Sequence, residues 1–541
     1  MLHRGVSECE SCSACSRLQE IQSRIRECKE LLDKLYVQEA YAKSSVNTAH
    51  DPIICYLPLE LVSKIFMLSN PNPAETDEEF GSSPPNAPLA SQRYQFSLGA
   101  VCTTWRNIVR STPQLWTDIY IQFPIQRGSE LQHREFLLLS LQLSGSLPLY
   151  IQARETLQQD YTGRDYRAHS SLLEVLNNHS DRWNTLDLCI SPLLLAHIKG
   201  GAPGAPNLKR LWIHLLGRRE ERIGSMFQVL FGLPSPQIVK VSGITFSLLG
   251  ISWKNVTEVE LGALNMGECW ELLRQATQLV DFDLHFLMPE DSDLLDSGEA
   301  VTALKLASWK VDIFFPADEL FSRLVLPSLA SLDVSGYYTL DNLVHLFSRS
   351  MCPLRSLSFS SDDITPADVI PILEVTPLLR QLVFAQVTLH GLDELFDILA
   401  RTKLVSNMSQ DATMAFLPHL EEFSFIRLSD YPPPWHLVPS LFPPTRYSAN
   451  SQYRPLRKVE FRLSFDVLDV QDHLDKDVVL QILEIQQRGY DLNIWNEEDG
   501  TDIDLVQVSY EYHFRGQSGA GDDPEVEEEE EADEDGSDAE D

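Results

Sequence analysis

The sequence predicts a mixed α/β chain: a short N-terminal helix, a small helical module, an irregular solenoid of alternating strands and helices, and a disordered acidic tail. Three observations carry this reading. They are an apolar seam at helical spacing near the N-terminus, two apolar helical stretches split by a proline-rich segment, and a short apolar pattern recurring from about Trp183 to Phe465. At 541 residues the chain is long enough for two or more cooperative units.

In residues 1–48, Leu18, Ile21, Ile25, Cys28, Leu32 and Leu35 are spaced 3, 4, 3, 4 and 3 apart, with Arg24, Arg26, Glu27, Lys29, Glu30 and Lys34 around them. That is the a/d seam of a coiled coil, but shorter than the ~3–4 heptads a sustained one needs. The expectation is a short amphipathic helix lying on its own domain, with a dimerising or partner-binding helix as the alternative.

Residues 49–123 hold two helical stretches. In the first, from Leu59 to Leu68, Leu61, Ile65 and Leu68 share a face and Pro58 marks the start. The second is expected over Leu98 to Arg110, through Leu98, Val101, Trp105, Ile108 and Val109. Between them, Asn70 to Pro88 carries Pro71, Pro73, Pro84, Pro85 and Pro88 among acids, which reads as a looped insertion.

Over residues 124–515 the recurring unit is apolar-x-x-apolar-x-apolar, starting at Trp183, Leu208, Val256, Leu279, Val301, Leu329, Leu354, Leu379, Leu420 and Leu456. A degenerate unit near Ile238 and Val241 would fill the longest gap. The alternating pair suits a short strand with both apolar residues on one side. Stretches such as Cys269–Leu273, Asn342–Phe347 and Glu394–Leu399 suit the helices between. One strand and one helix per ~20–29 residues is the leucine-rich-repeat signature, whose units stack because none can bury its strand face alone. The position that usually carries asparagine or cysteine holds Leu216, Leu264, Trp309, Tyr337 or Asp362 instead, so the usual side-chain ladder is absent.

The formal charge is −36, and the last twenty positions hold 14 of the acids, so the rest of the chain still carries −22. A body this acidic opposes nucleic-acid binding and is repelled by an anionic membrane. Residues 516–541, with Glu527 to Glu531 in a run, read as a disordered tail. The first residues lack a signal-peptide core, and no apolar run approaches the ~20 residues of a membrane helix. With nine cysteines and no secretory signal, the expectation is a cytoplasmic or nuclear protein with reduced thiols. The sequons at Asn178, Asn255 and Asn407 are then incidental.

Chemistry is sparse. Cys9-x-x-Cys12-x-x-Cys15 lacks the second ligand pair of a zinc site, so free thiols are expected and no metal. Gly200-Gly201-Ala202-Pro203-Gly204 has neither a following lysine nor dinucleotide-binding order and reads as a loop. His214, His285 and His345 fall in or beside repeat segments, and Asp362-Asp363 at a turn, where structural roles suffice. No enzyme and no cofactor are expected.

Leu57-Pro58-Leu59-Glu60-Leu61-Val62-Ser63-Lys64-Ile65-Phe66, followed by Val101-Cys102-Thr103-Thr104-Trp105-Arg106, resembles an F-box, and Ser111-Thr112-Pro113-Gln114-Leu115-Trp116 is similar to the ending in large fungal F-box families. The resemblance covers about seventy residues directly. It implies a module that docks a Skp-type adaptor through Leu57, Pro58, Leu61, Ile65, Val101, Cys102 and Trp105. Through that adaptor it would join a cullin-RING ubiquitin ligase, with the repeats recruiting an unknown protein target. The departure from the family is the 44-position interval from Leu57 to Val101. Other readings are a non-catalytic repeat scaffold outside a ligase, and a module that merely caps the solenoid.

Overall fold

The computed structural model describes residues 13–50, 53, 56–70, 87–124, 129–156, 165–202, 204–217, 222, 224–289, 300–361, 364–386, 392–402, 416–428, 433–444, 453–463, 473–498 and 501–514. The acidic tail, most of the proline-rich insertion, Cys9, Cys12, Asp362-Asp363 and Asn407 lie outside these residues. The chain forms two compact units, one ending at Phe286 and one beginning at Leu287.

The first unit opens with helix α1, Ser13–His50, 38 residues without a glycine or proline. This corrects the expectation of a short helix lying on its own domain. The helix runs about 57 Å at the usual rise, and its seam is bare, with Leu18, Ile25 and Leu35 all about half exposed. The apolar period fades after Leu35, where Glu39 and Ala42 take the next seam positions, so only the first part was readable.

Helices α2 (Leu59–Leu68), α3 (Ala87–Val101) and α4 (Thr103–Arg110) form the helical module. The expected helix over Leu98–Arg110 is in fact two. Cys102 adopts an extended backbone, and its Sγ accepts the Trp105 N–H at 3.4 Å as the cap of α4. The insertion also ends earlier than expected, because Pro88 lies inside the first turn of α3, where a missing N–H costs nothing.

A parallel sheet follows: β1 (Asp118–Phe123), β2 (Leu149–Glu155), β3 (Trp183–Ile190), β4 (Arg210–Leu215), β5 (Ile238–Ser242), β6 (Glu258–Leu261) and β7 (Asp281–Met288). Each strand pairs with its predecessor in chain order. β1 and β2 precede the first match found in the sequence, and β1 lies within residues 49–123. The degenerate unit is present as β5, with Val239 and Val241 facing inward rather than Ile238.

The second unit repeats the arrangement with β8 (Ser308–Ile313), β9 (Ser331–Gly336), β10 (Ser356–Ser360), β11 (Gln381–Ala385), β12 (Glu422–Leu428), β13 (Lys458–Leu463) and β14 (Asp491–Glu498). All pair in parallel, and a last strand, β15 (Thr501–Asp504), runs antiparallel to β14. Helices at Leu340–Ser350, Leu392–Arg401 and Lys476–Gln487 bridge successive strands. One sequence match is corrected: Val301-x-x-Leu304-x-Leu306 is out of frame. Leu304 is 66% exposed, whereas Trp309 and Val311 point inward from β8 with Leu306 buried ahead of them. Both frames satisfy the apolar spacing, so period alone does not separate them. Trp309 is therefore a core residue and not a turn residue.

Register aligns the inward pairs into rows. Leu332 faces Leu357 and then Leu382, while Val334 faces Phe359 and Phe384. The second row continues as an aromatic stack, Phe384 to Phe425 at 5.0 Å and Phe425 to Phe461 at 5.5 Å between ring centroids. Leu332 and Leu357 are fully buried. Leu357→Ala is expected to cost ~2–5 kcal/mol. Urea denaturation measures this, and a loss below ~1 kcal/mol would contradict its place in the core.

Where a regular asparagine ladder is missing, single polar residues satisfy the turns. Asn177 accepts from the Lys199 and Gly200 N–H groups, both at 3.1 Å. Ser350 Oγ accepts from Leu326 N and Ser509 Oγ from Leu474 N, each at 3.0 Å. Arginines serve the carbonyls, among them Arg182 on Leu147 and Leu141, Arg349 on Leu324 and Phe321, and Arg454 on Leu399, Thr402, Phe416 and Leu417. Gly336 is required where β9 ends: at φ +92°, a Cβ would sit 1.9 Å from the Ile313 carbonyl oxygen.

Candidate functional site

In the helical module, α2 buries Val62 and Phe66, one turn apart, against Ile108 and Val109 of α4 and against Leu115 and Trp116 of the following 3₁₀ turn. Polar groups lock this core. Trp116 Nε1 donates to Val109 O at 2.8 Å, Thr112 Oγ1 to Ile108 O at 2.7 Å, and Gln95 Nε2 to Leu115 O at 2.7 Å. Trp105 lies over Phe66 with centroids 4.6 Å apart.

Seven of the ten residues of α2 are apolar, yet only Val62 and Phe66 are fully buried. Leu61, Ile65 and Leu68 form a second stripe, offset from the first, that points into solvent. Leu61 is 47% and Leu68 77% exposed, and Leu59 and Tyr56 are exposed as well. A helix this short has no need of two apolar stripes for its own fold. The uncovered stripe is the kind of contiguous apolar surface that marks an interface.

The seven residues singled out in the sequence divide by position. Pro58, Leu61 and Ile65 are exposed on α2 or at its start, and Val101 is exposed at the end of α3. Leu57 and Trp105 are half-buried and come together on the module's core. Cys102 is 2% exposed, which gives it a capping and packing position away from the surface. The docking residues that the resemblance implies do not include Tyr56 or Leu68, although the sequence places Leu68 on one helix face with Leu61 and Ile65.

A second candidate region is the polar face of each sheet, made by the residues between the inward pairs, although Gln152 and Asp187 at its start are buried. In the first unit, Arg154 on β2 grips Asp187 on β3 through Nη1–Oδ1 at 2.7 Å and Nη2–Oδ2 at 2.6 Å, and Gln152 Nε2 donates to the same carboxylate at 2.9 Å. Burial pushes the neighbouring Tyr120 phenol up to about 12, partly opposed by Arg154. Further along, Lys240 lies 3.4 Å from Glu258 and 3.0 Å from Glu260, which also meets His285 Nε2 at 3.2 Å. Burial alone would lower the Lys240 ammonium, but Glu260 and Glu258 outweigh it and raise it. In the second unit, Ser331 faces Ser356 and Ser335 faces Ser360. A charged cluster follows, with Glu460 held between Lys458 at 2.9 Å and Arg462 at 2.8 Å.

Among the described residues, no group of three or more His, Cys, Asp or Glu side chains could hold a metal ion. No helix among them is long and apolar enough to cross a membrane. No protein-family model matches the chain, and no curated protein matches it.

Proposed function

We propose that the chain is a substrate-receptor subunit of a Skp/cullin/F-box ubiquitin ligase. In this reading the helical module is an F-box that docks a Skp-type adaptor, and the strand-helix units form a leucine-rich-repeat-like solenoid that presents a protein target. The observation that supports it most is the second apolar stripe of α2, Leu61, Ile65 and Leu68, on a helix whose first stripe already fills the module's core. The chain itself would carry no catalytic group. Its contribution would be proximity, raising the effective concentration of target lysines near the charged thioester.

One observation also favours a capping role. Phe96 of α3 packs on Phe136 of the helix Glu130–Leu143 at 5.4 Å, and Leu139 and Leu143 of that helix pack on the module's core. Capping uses the inward faces and docking the outward stripe, so the two roles do not compete.

The test is co-expression of the full chain with a Skp-type adaptor and a cullin, followed by affinity purification. Recovery of both is the expected result. Adaptor without cullin would favour the non-catalytic scaffold, and recovery of neither would leave only the capping role.

A further inference from the structure

The bare seam of α1 has flanks of one sign. With Leu18, Ile25 and Leu32 at a and Ile21, Cys28 and Leu35 at d, the e positions are Gln22, Lys29, Tyr36 and Lys43, and the g positions are Arg17, Arg24, Leu31, Gln38 and Ser45. None is acidic. Arg24 and Lys29 line the same shallow groove as Ile21, Ile25, Cys28 and Leu32. Glu20, Glu27, Glu30 and Asp33 lie on the outer b, c and f positions, facing away from that groove.

Residues at e and g decide who pairs with whom, because they meet across the interface. A second copy is a poor partner. In a parallel pair Arg24 would meet Lys29, and in an antiparallel pair e would face e and g would face g, so the charged members would again be cations. A membrane surface is also a poor fit, since such helices carry a basic polar face, whereas this one mixes six Lys and Arg with five Asp and Glu over residues 13–50.

We propose that α1 is one strand of a heteromeric coiled coil, its partner a helix of another protein with an apolar a/d seam flanked by Glu or Asp at e and g. This goes beyond adaptor docking and stands without it, since α1 and the stripe of α2 are different surfaces. Glu39 at an a position closes the clean part of the seam, so the partner should engage mainly Leu18 to Leu35.

The full chain can be titrated into two fluorescein-labelled five-heptad peptides with Ile at a and Leu at d, one with Glu and one with Lys at every e and g. Fluorescence anisotropy should show the Glu peptide binding at least about tenfold more tightly, less so at high salt. Arg24→Glu with Lys29→Glu should reverse the order. These side chains are exposed, so circular dichroism should be unchanged. Equal binding of both peptides, or binding of neither, overturns the proposal. So does concentration-dependent dimerisation of the chain alone, with a disulfide lost in Cys28→Ser. Tighter binding to phosphatidylserine vesicles than to the Glu peptide overturns it in favour of a membrane.

Discussion

Arg454→Ala is expected to destabilise the second unit by about 3–5 kcal/mol. The side chain is 4% exposed and makes five hydrogen bonds: Nε to Leu417 O at 2.9 Å, Nη1 to Leu399 O at 2.7 Å, and Nη2 to Phe416 O, Thr402 Oγ1 and Thr402 O. Burial pulls its guanidinium down to about 10, so it is still charged at neutral pH and every bond is charge-assisted. Truncation leaves four carbonyls without this donor in a dry environment. Arg454→Lys should recover only a fraction, because an ammonium has three donors and no planar fork. Arg454→Met should be about as damaging as alanine, since packing returns but the carbonyls stay unpaired. Urea unfolding of the three variants tests this. A loss under ~1 kcal/mol for alanine would mean that water already serves those carbonyls.

The second large effect concerns docking. If α2 docks the adaptor as proposed, Leu61→Glu with Ile65→Glu should weaken that binding beyond about a hundredfold, as central apolar anchors are each worth ≥ 2 kcal/mol, or roughly thirtyfold apiece. Both side chains are partly exposed, at 47% and 38%, so the fold should survive and the thermal midpoint should fall far less than for a charge at a fully buried position. Leu57→Ala is a poorer probe, because Leu57 packs on the module's core and its loss mixes stability with docking. Val62→Glu serves as the contrasting control: it places a charge at a fully buried position and should unfold the module. The double variant should still capture a target while no longer supporting ubiquitin transfer. Unchanged adaptor recovery from the folded variant would remove α2 as the docking helix.

The alternating pairs Leu332/Val334, Leu357/Phe359 and Leu382/Phe384 were legible because nothing but a strand with one buried face uses that spacing so often. The frame at Val301 misled because Leu306 belongs to two overlapping apolar triplets, and only the tertiary fold decides between them. β1 carries the same pattern as Trp116-x-x-Ile119-x-Ile121, but Trp116 also closes the helical module, so the first unit merges with that segment in the sequence. β14 was hidden because Gly489 occupies the first apolar position of its unit. At the candidate site, sequence period places Leu61, Ile65 and Leu68 on one face but cannot say which face of α2 is covered. That depends on where Ile108 and Trp116 arrive, which is long-range information. Cys102 illustrates the same limit: its neighbours look helical, and only the backbone reveals that it caps one helix instead of continuing another.

The reversed strand β15 has a further consequence. A stack of parallel strands has no intrinsic end: each new strand exposes the same row of amides and carbonyls that its predecessor offered, and a neighbouring molecule can read that row as a template. Here β14, eight residues long, is followed by a strand of only four that runs the opposite way and carries Asp502 and Asp504. Asp504 then accepts from the Val506 N–H at 2.9 Å, turning the chain into a helix at once. The rim offered to a neighbour is therefore short, wrongly directed and anionic. Strand addition by a neighbour is disfavoured where this reversed strand covers Trp495 to Glu498.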